Sequence, residues 1–171
     1  MNYCYLHFKV FPEFIRAALL ITDERTKPLE FRITSKIMID DLQKIIYGES
    51  LKESLFVEKI GKDLIDSVQI DFGVCFVKEK DLLSLRDKID KPLFLLQRYD
   101  EFKARDKFSI KLQSTNTKFE PIMIRFLAKD EGDMGRFMKV FQESFKYSNI
   151  MEPFERIERA IEFLNLQEDN V

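Results

Sequence analysis

The sequence predicts an α+β fold, or a mixed α/β one, with a largely antiparallel sheet covered by helices and finished by a C-terminal helix pair. Three patterns carry that prediction. Leu19 to Ile33 reads as an apolar strand, a polar turn closed by Pro28 and an alternating strand, which together make a hairpin. Leu51, Leu55, Phe56, Ile60, Leu64, Ile65 and Val68 fall on one face at helical spacing. Residues 130–166 carry two further stripes, separated at Pro153.

Taken in order, Tyr3 to Phe11 mixes aromatic and β-branched residues and predicts a strand ended or bent by Pro12. In the second hairpin strand Leu29, Phe31 and Ile33 alternate with Glu30, Arg32 and Thr34. That predicts a buried face and a wet one, with Glu30 and Arg32 as surface neighbours. The first hairpin strand is apolar throughout and belongs deeper in the sheet. Asp40 with Gln43 has capping spacing for a short helix that ends at Gly48, and Ser50 with Glu53 has it for the helix that follows. Gly61 lies beside that second stripe, where a missing side chain lets a neighbour approach.

Phe72 to Val77 predicts a strand, Lys80 to Lys88 a helix with Leu82, Leu83 and Leu85 inward, and Pro92 to Gln97 a strand parallel to the first of these. Residues 98–107 read as a charged loop. Phe108 to Ser114 and Phe119 to Ala128 follow as an antiparallel pair. Asp130 or Asp133 is placed to cap a helix striped by Met134, Phe137, Met138, Phe141 and Phe145. The last helix carries Phe154, Ile157, Ile161 and Leu164 opposite Glu155, Arg156, Glu158, Arg159 and Glu162. With no linker or repeat, residues 1–171 read as a single domain.

Residues 17–64 hold a fuller pattern: an apolar run, Thr22-Asp23, a short turn, Pro28-Leu29-Glu30-Phe31-Arg32, a gap, then Leu42-Gln43, an apolar pair and Tyr47-Gly48. It resembles the pattern of a group of uncharacterised bacterial proteins. Thr26 departs from it, standing where glycine would suit a tight hairpin, so a longer or differently closed turn is expected. The resemblance implies a bacterial cytoplasmic protein and supplies neither an activity nor a catalytic residue.

Seventeen phenylalanines and no tryptophan describe the core. Charged residues reach 34% with a net charge of −2, which predicts interspersed surface ion pairs, and heavy Lys and Glu use with few glycines suits a thermophile, as Lys, Ile and Phe codons suit an AT-rich genome. The longest apolar run, Ala17 to Ile21, is too short to span a bilayer, and the N-terminus lacks the pattern of a signal peptide. A cytoplasmic location is therefore expected, with Cys4 and Cys75 as buried free thiols rather than a disulfide.

Chemistry is sparse. No glycines fall at phosphate-loop spacing, and the two cysteines with the single histidine, His7, cannot build a zinc cluster without several carboxylates, an unusual set for a structural site. A packed strand residue is the simpler account of His7 than a ligand or general base. Asp23, Glu30 and Asp81 are the carboxylates that could converge on Mg or Mn, in a nuclease or phosphoesterase of ribonuclease-H-like architecture. The element order, three strands, helix, strand, helix, strand, resembles such nucleases, although they place an aspartate in the first strand and Tyr3 to Phe11 contains no acid.

Arg98, Lys103, Arg105 and Lys107, with Tyr99, Phe102 and Phe108 among them, form the mixture a single-stranded nucleic-acid groove uses. Asp100, Glu101 and Asp106 interrupt it, and the pI of about 5.6 is not that of a dedicated binder. The stripe of Met134, Phe137, Met138, Phe141 and Phe145 is the candidate for a partner surface. On these grounds the main expectation is a non-enzymatic interaction module, self-associating or bound to another protein, needing no cofactor and no membrane. Nucleic acid is the less favoured partner. A metal-dependent nuclease and a nucleic-acid accessory factor are the alternatives.

Overall fold

In the computed structural model, which describes residues 1–170, eight strands form one sheet in the order β3-β2-β1-β5-β6-β8-β7, with β4 also paired to β2. The strands are β1 (Tyr3–Val10), β2 (Phe14–Thr22), β3 (Pro28–Ile33), β4 (Ile37–Met38), β5 (Val74–Val77), β6 (Leu93–Arg98), β7 (Ser109–Leu112) and β8 (Ile122–Arg125). β1, β5 and β6 run parallel and every other ladder is antiparallel. The fold is thus the mixed α/β sheet that the patterning predicts. A β5–β6 crossover through a 3₁₀ helix (Lys80–Asp87) supplies the parallel link.

Both faces of the sheet are covered because its central strands are apolar on both sides. Tyr3, Tyr5, Val74, Phe76, Phe94 and Leu96 point to one face, where α3 (Met134–Tyr147) and α4 (Glu152–Asp169) pack. Cys4, Leu6, Leu19, Ile21, Cys75 and Leu95 point to the other. There a π-helix (Lys52–Gly61) running into α2 (Lys62–Asp66) lies beside the 3₁₀ helix and contributes Phe56, Val57, Ile60, Leu64 and Ile65. Ahead of it, α1 (Asp41–Tyr47) is capped by Asp40, whose carboxylate accepts from Gln43 N at 2.7 Å, and it ends at Gly48 with φ of 53°.

Several local expectations are corrected. In β3 the exposed residues are Leu29 and Phe31, while Glu30 is enclosed, accepting from the N–H groups of Gln69 and Ile70 and from Arg32. β3 is an edge strand, and the segment after α2 covers the face that carries Glu30. Ser50 does not cap a helix but donates to Tyr47 O within a continuous helical run. Neither Asp130 nor Asp133 caps α3. Asp130 is instead buried in a bidentate pair with Arg86, whose Nη2 and Nε lie 2.9 and 3.0 Å from its carboxylate.

The polar face assigned to α4 is not all solvated. Glu158 meets His7 and Lys78, Glu162 pairs with Lys9, and Asn165 and Glu168 take Arg16, so one seam of α4 reads against the cations of β1 and β2. Cys4 and Cys75 are in register on adjacent parallel strands, both free, with burial raising the Cys4 thiol. Among the described residues no helix is long and apolar enough to cross a membrane.

Candidate active site

The carboxylates singled out in the sequence do not meet. Asp23 follows β2 beside the start of β1, where its Oδ1 accepts from Arg25 N and Lys27 N, both at 2.9 Å, and closes the hairpin turn around Thr26 at φ of 62°. Asp81 follows β5, which runs parallel to β1, so it lies at the opposite end of the sheet and pairs there with Lys52 at 3.6 Å. Glu30 is bound to the segment after α2 as described. Each of the three has a structural role.

A different group converges at the C-terminal end of the parallel strands, the edge where open α/β sheets place their sites. β1 presents His7 on the same face as Tyr3 and Tyr5, against the ring of Phe154 at 6.3 Å. β5 ends at Val77 and delivers Lys78 and Glu79; α4 delivers Glu158. Glu79 Oε1 lies 2.9 Å from His7 Nδ1, and Glu158 Oε1 lies 3.3 Å from Nε2 and accepts from Lys78 Nζ at 3.0 Å. His7 is 6% exposed, whereas both carboxylates reach solvent.

Charge and hydrogen bonding at this centre are incompletely matched. Partial burial pushes Glu158 up, but Lys78, together with His7 and Lys9, outweighs it and holds the carboxyl below its ordinary value. The Nδ1 atom of His7 and the second oxygen of Glu79 are buried with no hydrogen-bond partner, despite the short approach of the other Glu79 oxygen.

A cleft of about 540 Å³ is lined by Lys78, Phe154, Arg98, Lys118, Asn149 and Glu155, among others. Lys78 and Phe154 join it to the His7 centre: Lys78 lies 5.8 Å over the Phe154 ring while bonded to Glu158. Three cations and two carboxylates, Glu120 and Glu155, line the space, which meets the His7 centre through Lys78 and Phe154. Such a site can hold an anionic group and move a proton beside it.

A ribonuclease-H-like architecture implies divalent ions on clustered acids, and the residues present do not fit them. The first strand supplies an imidazole, its two nitrogens face different carboxylates, and Lys78 already neutralises Glu158. Among the described residues no group of three or more His, Cys, Asp and Glu is arranged to hold a metal ion.

His7 is a packed strand residue, as expected, and lies between two carboxylates as well; Lys78, Glu79 and Glu158 escaped sequence reasoning. Their signals were the Lys-Glu pair that ends an apolar parallel strand and an acid on the last helix that had been assigned to solvent.

No family model matches the chain, and no curated protein matches it. Solved structures that resemble it include Endonuclease V of Ciona intestinalis in complex with a 24mer DNA containing an inosine, at 7% identity over 73% of this chain and 70% of that one, with a TM-score of 0.47. Endonuclease V from Bacillus subtilis is 9% identical over 96% of this chain and 82% of that one, with a TM-score of 0.48. A protein of unknown function from Archaeoglobus fulgidus is 9% identical over 81% and 85%, also at 0.48. These likenesses are remote and supply no residue of the site.

The expectation of a non-enzymatic interaction module, self-associating and with nucleic acid the less favoured partner, is corrected. Met134, Phe137, Phe141 and Phe145, the surface it required, are at most 3% exposed and pack on Phe76, Phe94 and Phe119, with Met138 half-buried beside them. They are core. What the molecule presents instead is a charged cleft beside the His7, Glu79 and Glu158 group.

Proposed function

We propose that the chain is a nucleic-acid-processing hydrolase that cleaves a phosphodiester bond at the His7 centre. The observation that carries the reading is the placement of His7 between Glu79 and Glu158 beside Lys78, which donates to Glu158 and also lines a cleft with Arg98 and Lys118. The cations hold the phosphate and the charge that builds on it. Glu79, whose side chain reaches solvent, takes the proton of the attacking water and returns one to the departing oxygen, while His7 between the two carboxylates holds them in place. Side chains supply both the acid–base and the charge chemistry, so the reading calls on no cofactor. The compartment is the cytoplasm, where buried Cys4 and Cys75, adjacent on neighbouring strands, stay reduced.

The test is a cleavage assay on end-labelled single- and double-stranded DNA and RNA oligonucleotides, run in EDTA and with added Mg²⁺ or Mn²⁺. Wild-type protein cuts at least one of them, and Glu79→Gln lowers the rate by about 100-fold or more. Failure to cut any substrate, or cleavage that Glu79→Gln and His7→Ala retain, overturns the reading.

A further inference from the structure

We infer that a single strand of nucleic acid is led to the cleft along the surface formed by residues 98–118, with Phe102 as a stacking platform. This rests on the nucleic-acid reading of the cleft and adds to it the form of the substrate and the path it takes.

Charge is the first support. Residues 98–118 hold six cations, Arg98, Lys103, Arg105, Lys107, Lys111 and Lys118, against three carboxylates, in a chain whose net charge is −2. Among the described residues none of the six forms an ion pair. Cations elsewhere commonly do, as Lys36 does with Asp169, Lys91 with Asp71 and Lys129 with Asp87. Two of the three interrupting acids are engaged in shaping the loop. Asp100 accepts from Phe102 N at 3.0 Å; Asp106 accepts from Phe108 N at 3.0 Å and pairs with Arg125 at 2.8 Å. They fix the backbone that presents the cations.

Aromatic placement is the second. The Asp100 turn, closed also by Lys103 N to Asp100 O, holds Phe102 with 90% of its surface in solvent, the most exposed large apolar side chain described. An exposed ring on a fixed turn costs solvation and earns no packing, but every base has a face to stack on it. Tyr99 is gripped differently: Lys111 lies 4.2 Å and Arg105 5.4 Å from its ring, and Arg105 donates to its hydroxyl at 3.0 Å. That ring pre-positions two cations rather than serving as a platform.

Continuity with the cleft is the third. Arg98, the last residue of β6, lines both the 540 Å³ cleft and a groove of about 280 Å³ that includes Gln97, Lys103, Ser109 and Arg125. A backbone followed phosphate by phosphate passes from Lys103 to Arg98 and on to Lys78 beside the His7 centre. A duplex hides its base faces and cannot use Phe102, so the surface selects an unpaired strand.

Fluorescence anisotropy of the full chain with labelled oligo(dT), oligo(rU) and a blunt duplex of equal length, across a salt series, tests the path. Single strands bind more tightly than the duplex. Phe102→Ala weakens them by about tenfold. The Lys103→Ala, Arg105→Ala, Lys107→Ala triple variant lowers the slope of log affinity against log salt by about 2. All four side chains are exposed, so unchanged thermal unfolding verifies that the fold is kept. Equal affinity for the duplex, or loop variants that bind as wild type does, overturns the inference. Strand binding that depends on Phe102 without cleavage of any substrate removes the catalytic reading and leaves the path. Cleavage with binding indifferent to the loop does the reverse.

Discussion

Arg86 and Asp130 show what one pair of side chains does for this fold. Asp130, 3% exposed, precedes α3, and Arg86, at the end of the 3₁₀ helix, reaches it with two nitrogens while a third donates to Ile89 O. Arg86→Met leaves a buried carboxylate without its partner and is expected to cost about 3–5 kcal/mol, read as a lower urea midpoint. A shift below 1 kcal/mol would mean that Asp130 finds another donor. Glu30 is the second case. Enclosure pushes its carboxyl up, but the N–H groups of Ile70 and Gln69 and the Arg32 guanidinium outweigh this and hold it below the ordinary 4.5. A carboxylate lowered on folding stabilises above its unfolded pKa, and that stability is lost as pH falls through the folded value. Glu30→Gln therefore lowers stability at pH 7 and flattens the acid side of the stability profile below about pH 4.5; an unchanged acid limb would contradict this role. Asp23 was legible as a turn residue, whereas Glu30 was not legible as an enclosed one, because alternation reports two faces without saying which will be covered.

Among the elements, the π-helix of residues 52–61 is where local pattern and packing part company. Apolar spacing predicts an ordinary helix, and the stripe is indeed the one buried, yet the turn widens so that Phe56, Ile60 and Gly61 all face the sheet. Gly61 is required by contact: an added Cβ would lie 2.6 Å from Phe56 O and 3.3 Å from Leu85 Cδ2. Gly61→Ala is expected to destabilise by about 1–3 kcal/mol, although alanine is the better helix former by about 1 kcal/mol. A rise in the denaturation midpoint would show that the helix can relax to α geometry at no cost. α4 gives the complementary lesson. Its apolar stripe was legible, but charged residues on the next seam read as solvated until β1 and β2 bring Lys9 and Arg16 within reach of Glu162 and Glu168. A sequence marks the amphipathic face of a helix; it does not mark which of its charges will border a strand that carries the opposite sign.

The whole molecule matters because the candidate centre belongs to no single segment. His7, Glu79 and Glu158 come from the first strand, the end of the fifth and the last helix, and only the β1–β5 parallel pairing with α4 laid across it brings them together. The hairpin, the β5–β6 crossover and the helix pair were readable from short-range patterns; the sheet order was not. Nor was the centre, because its residues are separated by most of the chain and each has an ordinary local explanation. Since His7 is the only histidine in the protein, its imidazole can be observed alone. The most direct test is a long-range ¹H–¹⁵N NMR spectrum of that ring with and without a single-stranded oligonucleotide. The account predicts that its nitrogen and ring-proton resonances shift in step with occupancy, and that Glu158→Gln alters both the free spectrum and the response. Resonances that stay unmoved at saturating oligonucleotide would contradict it, and would place any nucleic-acid contact away from the His7 centre.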